Sequence, residues 1–117
     1  AGVVSYANQS KVHLLGVGAE TIDQHGAVSE ETAKAMVEGV LAETEADVAL
    51  AVTGIAGPSG GTPEKPVGTV FLGLADRHET HVFRRLNPYD RETFKFVTAH
   101  QGMELLRRKV LGLSLEL

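Results

Sequence analysis

The stretch Ala51-Val-Thr-Gly-Ile-Ala-Gly-Pro-Ser-Gly-Gly-Thr-Pro-Glu-Lys-Pro-Val-Gly-Thr-Val70 gathers residue types suited to holding a ligand. It contains five of the chain's 13 glycines and three of its four prolines, so its backbone can approach a ligand closely yet keep one shape with little entropy to lose. Its glycines can turn backbone N–H groups toward a phosphate or carboxylate, and Thr53, Ser59 and Thr62 add hydroxyl donors. It is not a Walker A loop, because Lys65 follows Pro63-Glu64 rather than a glycine at a helix start, and it is not Gly-x-Gly-x-x-Gly. The competing reading is a rigid crossover between two strands with no ligand. Loops of this length without secondary structure are usually functional or disordered, and this one lacks the length and polarity of a linker, so binding is favoured.

A second group is Tyr6-Ala7-Asn8-Gln9-Ser10-Lys11. With Tyr6 ending a strand and Lys11 one turn into a helix, both side chains reach one pocket. An ammonium beside a phenol favours the phenolate and lowers its pKa, which suits a general base. The lysine could equally orient a substrate phosphate, and a strand tyrosine packed on a lysine stem is the commoner arrangement. A third group is Asp90-Arg91, with Arg84 and Arg85 nearby. Arg91 can clamp a phosphate or carboxylate with two parallel hydrogen bonds, or the pair can be a helix cap and a surface ion pair. His13, His25, His78, His81 and His100 show no metal-ligand spacing, so no metal and no cofactor is expected. None of Ser5, Ser10, Ser29, Ser59 and Ser114 sits in a Gly-x-Ser-x-Gly elbow.

The elements that must position these groups follow from periodicity and capping. Val3 to Ala7 reads as a strand, and Asn8 caps a short helix, Gln9 to Leu15, ended by Gly16. A helical turn covers Ala19 to Gln24. Ser29 caps an amphipathic helix to about Thr44, with Ala33, Met36, Val37, Val40 and Leu41 on its apolar side. Val48 to Thr53 is expected as a central strand, Val67 to Ala75 as a second, and Glu79 to Leu86 as its antiparallel partner after a turn at Asp76-Arg77-His78. Asn87-Pro88 breaks that strand. A last helix starts near Asp90 and runs to about Val110, with Phe94, Val97, Met103, Leu106 and Val110 expected inside. This alternation predicts a three-layer α/β/α sandwich with a mixed sheet.

The bulk composition narrows the function classes. The chain has 117 residues, 43% of them hydrophobic and 22% charged, which fits one domain with a real core. Its net charge of −4 and its 5% aromatic content, without tryptophan, argue against a nucleic-acid surface. Without cysteine it has no disulfide, thiolate nucleophile or cysteine metal site, which suits a cytoplasmic protein. No apolar run is long enough to span a bilayer, and no signal peptide is visible, so no membrane partner is expected. Ala1 to Tyr6 reads as the middle of a strand, so the chain is expected to begin inside a domain.

Taken together these segments resemble the C-terminal domain of the competence-damage-inducible CinA proteins, the nicotinamide-mononucleotide amidase family. Tyr6 to Lys11 followed by Leu14-Leu15-Gly16-Val17 is similar to that family's Tyr-Ser-Asn-x-x-Lys…Leu-Gly-Val. His25-Gly26-Ala27-Val28-Ser29-Glu30 is similar to its His-Gly-Ala-Val-Ser-Glu, and Ala51 to Val70 matches its most specific signature almost residue for residue. The resemblance spans nearly the whole chain. It implies hydrolysis of the carboxamide of nicotinamide mononucleotide to nicotinate mononucleotide and ammonia by a Ser-Tyr-Lys arrangement, with Tyr6 and Lys11 as the catalytic tyrosine and lysine. Asn8, Thr53, Gly54, Ala56, Gly57, Gly60, Gly61, Thr62 and Arg91 are the positions expected to meet this small nucleotide substrate.

Two departures matter. The family's serine lies in an upstream Glu-Ser-x-Thr-Gly-Gly-like segment that these 117 residues do not contain, along with the domain's first strand and helix. The chain alone is therefore expected to be inactive, and the apolar surface so exposed leaves homo-oligomer formation open. Ala7 replaces the family's usual serine, and Asn87-Pro88-Tyr89 replaces its usual glycine before Asp-Arg. The alternative is a phosphate-ligand or nucleotide-binding module without catalysis, attached to a larger protein.

Overall fold

The computed structural model describes residues 17–117. In chain order these form α1 (Ala19–His25), α2 (Glu30–Glu43), β1 (Val48–Gly54), β2 (Thr69–Asp76), β3 (Thr80–Leu86) and α3 (Arg91–Leu111). The expected strand Val3 to Ala7 and helix Gln9 to Leu15 lie outside the described residues.

Caps set the helix boundaries where the sequence places them. The Ser29 hydroxyl oxygen accepts from the Thr32 N–H at 3.1 Å and starts α2. Asp90 accepts from the Thr93 N–H at 3.0 Å and starts α3. Gly112, left-handed at φ 71°, ends α3 by donating its N–H to the Arg108 and Lys109 carbonyls.

The three described strands are antiparallel in the order β1-β2-β3, in a register that sets Ala51 opposite Gly73 and Gly73 opposite Val82. β2 is the middle of the three described strands. It starts at Thr69, not Val67, because the Thr69 N–H and hydroxyl both donate to the Pro66 carbonyl, closing a turn just before it. Every β2 residue except Asp76 is buried, as a strand covered on both faces requires.

Those two faces carry different side chains. Ala49, Ala51, Gly73 and Ala75 make a shallow floor on which Ala33, Met36, Val37 and Leu41 of α2 rest. Gly73 is needed there: a Cβ would stand 2.9 Å from the Ala33 carbonyl oxygen. The opposite face, Val70, Leu72 and Leu74 with Leu50, packs against Phe94 and Leu105 of α3. Each fully buried leucine contributes roughly 1.5–3 kcal/mol of transfer free energy. The described residues thus form an α/β fold with a helix on each face of the sheet. Parallel pairing, which a mixed sheet needs, does not occur among the described strands.

The buried face of α3 corrects the expected one. Phe94 is inside, but Met103 is 57% and Val110 73% exposed, while Val97 and Leu106 are half-buried. The inner row is Phe94, Thr98, Gly102 and Leu105. An apolar count misses this row because two of its members are Thr98, turned in to a buried hydrogen bond from Asn87, and Gly102, against which Leu50 packs.

Candidate functional site

The loop between β1 and β2 is a closed structure. Its two ends are laced together, Ile55 N–H to the Thr69 carbonyl at 2.9 Å and Gly68 N–H to the Ile55 carbonyl at 2.7 Å. Near its tip the Thr62 N–H donates to the Lys65 carbonyl at 2.9 Å, and the Lys65 N–H donates back to the Thr62 hydroxyl oxygen at 3.0 Å. Pro58 to Pro63 are exposed, so Gly60, Gly61 and Thr62 face solvent, whereas Gly57 and Gly68 are buried.

Three cationic side chains hold the loop to its surroundings. Arg91 Nη1, at the start of α3, donates to the Gly57 carbonyl at 2.9 Å. Arg84 Nη2, on β3, donates to the Glu64 carbonyl at 2.7 Å. Lys65 Nζ donates to the Val28 carbonyl at 2.7 Å and the His25 carbonyl at 3.3 Å, which places its charge at the negative end of α1. Lys65 and Arg84 also flank the buried Phe71 ring, 5.8 and 5.5 Å from its centroid. Thr53 adds a fourth tie, its hydroxyl donating to the Ala27 carbonyl at 2.7 Å. The His25–Ser29 connector and the loop are thereby bound into one unit.

The expected substrate positions separate by what the structure does with them. Thr53 is buried and spends its hydroxyl proton on Ala27. Gly54 sits tightly against Phe94 and the Thr69 carbonyl, and Ala56 is half-buried against the α3-side core. Gly57 presents its carbonyl to Arg91, so that carbonyl is already occupied. Gly60, Gly61 and Thr62 form the open tip. Arg91 is exposed and uses one of its five N–H donors on Gly57. Asp90 does not pair with Arg91; it caps α3, and the Thr93 N–H and hydroxyl hold its carboxyl below the usual carboxylate range. Tyr6, Asn8 and Lys11 lie outside the described residues.

Two residues of this region escape sequence reasoning. Lys65 reads only as a lysine in the wrong place for a Walker motif, yet it staples the loop to the connector. Asn87 reads as half of a strand breaker, yet it is 3% exposed and fully hydrogen-bonded: Nδ2 donates to Thr98 Oγ1 at 3.1 Å and Gln101 Oε1 at 2.8 Å, and Oδ1 accepts from Gln101 Nε2 at 3.2 Å. Its backbone N–H donates to the Gly68 carbonyl at 2.8 Å. A polar residue before proline gives no sign that its side chain is buried, so no sequence signal distinguishes it.

Among the described residues no three His, Asp or Glu side chains converge as a metal site, and no helix is long and apolar enough to cross a membrane. What the described residues offer here is an exposed tip, Gly60 to Thr62, on a loop tied down by Arg91, Arg84 and Lys65.

Residues 1–110 match the model of the CinA C-terminal domain family. The chain is 45% identical over 115 residues to a "Putative competence-damage inducible protein" of Thermoanaerobacter sp. (strain X514), covering 98% of this chain and 28% of that relative. It is 48% identical over 112 residues to a "CinA-like protein" of Thermotoga maritima, covering 95% of this chain and 27% of that one. It therefore spans little more than a quarter of the length of these curated relatives. Among solved structures, competence damage-inducible protein A (ComA) from Klebsiella pneumoniae superposes with a TM-score of 0.88 at 37% identity, covering 94% of this chain and 68% of that one. The competence/damage inducible protein CihA from Agrobacterium tumefaciens gives 0.79 at 42% identity, covering 88% and 64%. With the family model matched over residues 1–110, the chain is a member of the CinA C-terminal domain family.

Proposed function

We propose that this domain hydrolyses the carboxamide of nicotinamide mononucleotide, releasing nicotinate mononucleotide and ammonia, together with a serine carried on a segment upstream of these 117 residues. Tyr6, as a phenolate favoured by the Lys11 ammonium, takes the serine proton while the serine oxygen attacks the carboxamide carbon. Backbone N–H groups stabilise the tetrahedral oxyanion. Collapse expels ammonia, which leaves with the proton held by tyrosine, and water then releases the acid. The loop from Thr53 to Thr62 and Arg91 hold ribose and phosphate, and Asn8 is a further substrate-binding residue. The substrate is a cytoplasmic salvage metabolite.

The observation that carries this reading is the tethered loop: Arg91 donates to the Gly57 carbonyl, which holds a guanidinium against the glycine-rich loop. A second reading is nucleotide binding without catalysis, in which the loop and Arg91 hold a ligand and no hydrolysis follows. Ammonia release and calorimetric binding of nicotinamide mononucleotide separate the two. The chain joined to its upstream segment should release ammonia, and Tyr6→Phe or Lys11→Ala should abolish release while leaving binding. Binding without turnover by that longer protein would establish the second reading instead.

A further inference from the structure

Both feet of the β1–β2 loop end on α3, and they do so by different means. The first foot, Gly57, is held by Arg91 from the helix's first turn. The second foot, Gly68, is held by the backbone of Asn87, whose side chain is in turn anchored two and three turns along the same helix at Thr98 and Gln101. The contact at the second foot has no slack. Gly68 sits at φ 99°, and a Cβ there would lie 2.7 Å from the Asn87 carbonyl oxygen. Asn87 is 3% exposed and both atoms of its amide find partners on α3, which ties its position to that helix.

We propose that Asn87 is a positioning residue for this loop: its buried amide transmits the placement of α3 to Gly68 and so sets the distance between the glycine-rich tip and Arg91. Asn87 touches no substrate. It works through Gly68, whose N–H closes the loop on Ile55. The consequence for ligand binding rests on the amidase reading above; the consequence for the loop does not.

The test uses Asn87→Leu, which removes all three side-chain hydrogen bonds, and the milder Thr98→Val, which removes one acceptor. Amide hydrogen exchange is read at Ile55, Thr62 and Gly68, and at the amides of β1 and β2 as a measure of global opening. Asn87→Leu should speed exchange at the three loop amides at least tenfold more than in the sheet, and Thr98→Val should do so to a smaller degree. Equal acceleration of loop and sheet, or no acceleration in the loop, overturns the proposal, since a merely structural residue moves both together. In the protein carrying its upstream segment, Asn87→Leu should raise KM for nicotinamide mononucleotide severalfold while kcat falls little. A loosened loop with KM unchanged would leave the role of Asn87 standing and overturn the assignment of the loop to that substrate.

Discussion

Arg91 opens α3, yet its guanidinium reaches back 34 positions to donate to the Gly57 carbonyl at 2.9 Å. A residue that sequence reasoning sets against a ligand is thus also a strut of the loop that would hold the ligand. The two roles predict different losses. A charge-assisted hydrogen bond contributes on the order of 1 kcal/mol at so exposed a residue, or about fivefold in affinity. If Arg91 only tethers, Arg91→Ala weakens nicotinamide mononucleotide and its phosphate-free riboside equally. If it also meets the phosphate, the mononucleotide loses far more. Calorimetry on both ligands, in the protein with its upstream segment, should show the unequal loss. Arg91→Lys should rescue little, because an ammonium cannot hold Gly57 and a phosphate with one planar fork.

Gly68→Ala should damage stability. It forces an L side chain to φ 99° and drives a Cβ to 2.7 Å from the Asn87 carbonyl oxygen, against backbone that cannot step aside. A cost of about 2 kcal/mol is expected, which lowers Tm by roughly 8 °C for a domain of this size. A scan showing less than about 2 °C would mean the β3–α3 junction yields, and with it the rigidity claimed for the loop.

The far end of the sheet makes a pH prediction. Lys109 Nζ lies 2.9 Å from Asp76 Oδ2 and 2.8 Å from Glu79 Oε1, tying the last turn of α3 to the β2–β3 hairpin. Lys109, with help from the His78 and Glu79 N–H groups, holds the Asp76 carboxyl far below the usual carboxylate range. Glu79 is lowered by Lys109 and then His81, and Lys109 itself is raised by both carboxylates. A carboxylate depressed in the folded state stabilises above its unfolded pKa and loses that contribution as pH falls below about 4. A raised lysine stabilises below its unfolded pKa and loses that contribution above about pH 10. The Tm difference between the natural chain and Lys109→Met should therefore be flat from about pH 5 to 9 and shrink on either side. A difference that persisted unchanged into strong acid would remove the ion cluster as its cause.

How far the sequence reveals the fold depends on what kind of signal each element leaves. Ser29 and Asp90 announce their helices because a cap is a local hydrogen bond between residues three apart, and both bonds form. β2 reads as a strand because Val70 to Ala75 is apolar throughout. The loop is visible because glycine and proline mark backbone shape. What escapes is long-range: Lys65 bonding to carbonyls about 40 positions away, and Asn87 buried against α3, are decided by tertiary packing that no local pattern encodes. The same blindness misphases α3, since a helix that buries a threonine and a glycine hides its inner face from any count of apolar residues.

That misphasing can be tested by two substitutions on one helix. Leu105 is fully buried among Leu72, Leu74 and Phe94, and Met103 is 57% exposed, although an apolar reading of α3 puts Met103 inside. Leu105→Ala leaves a cavity beside β2 and should cost about 3 kcal/mol, a fall in Tm of roughly 12 °C. Met103→Gln removes apolar surface already in water and should stay within about 0.5 kcal/mol. Chemical denaturation should show the midpoint falling for Leu105→Ala with its slope unchanged, and no movement for Met103→Gln. If Met103→Gln proved as costly as Leu105→Ala, the outer face of α3 would have to be covered in solution, and its exposure here would no longer describe the folded protein.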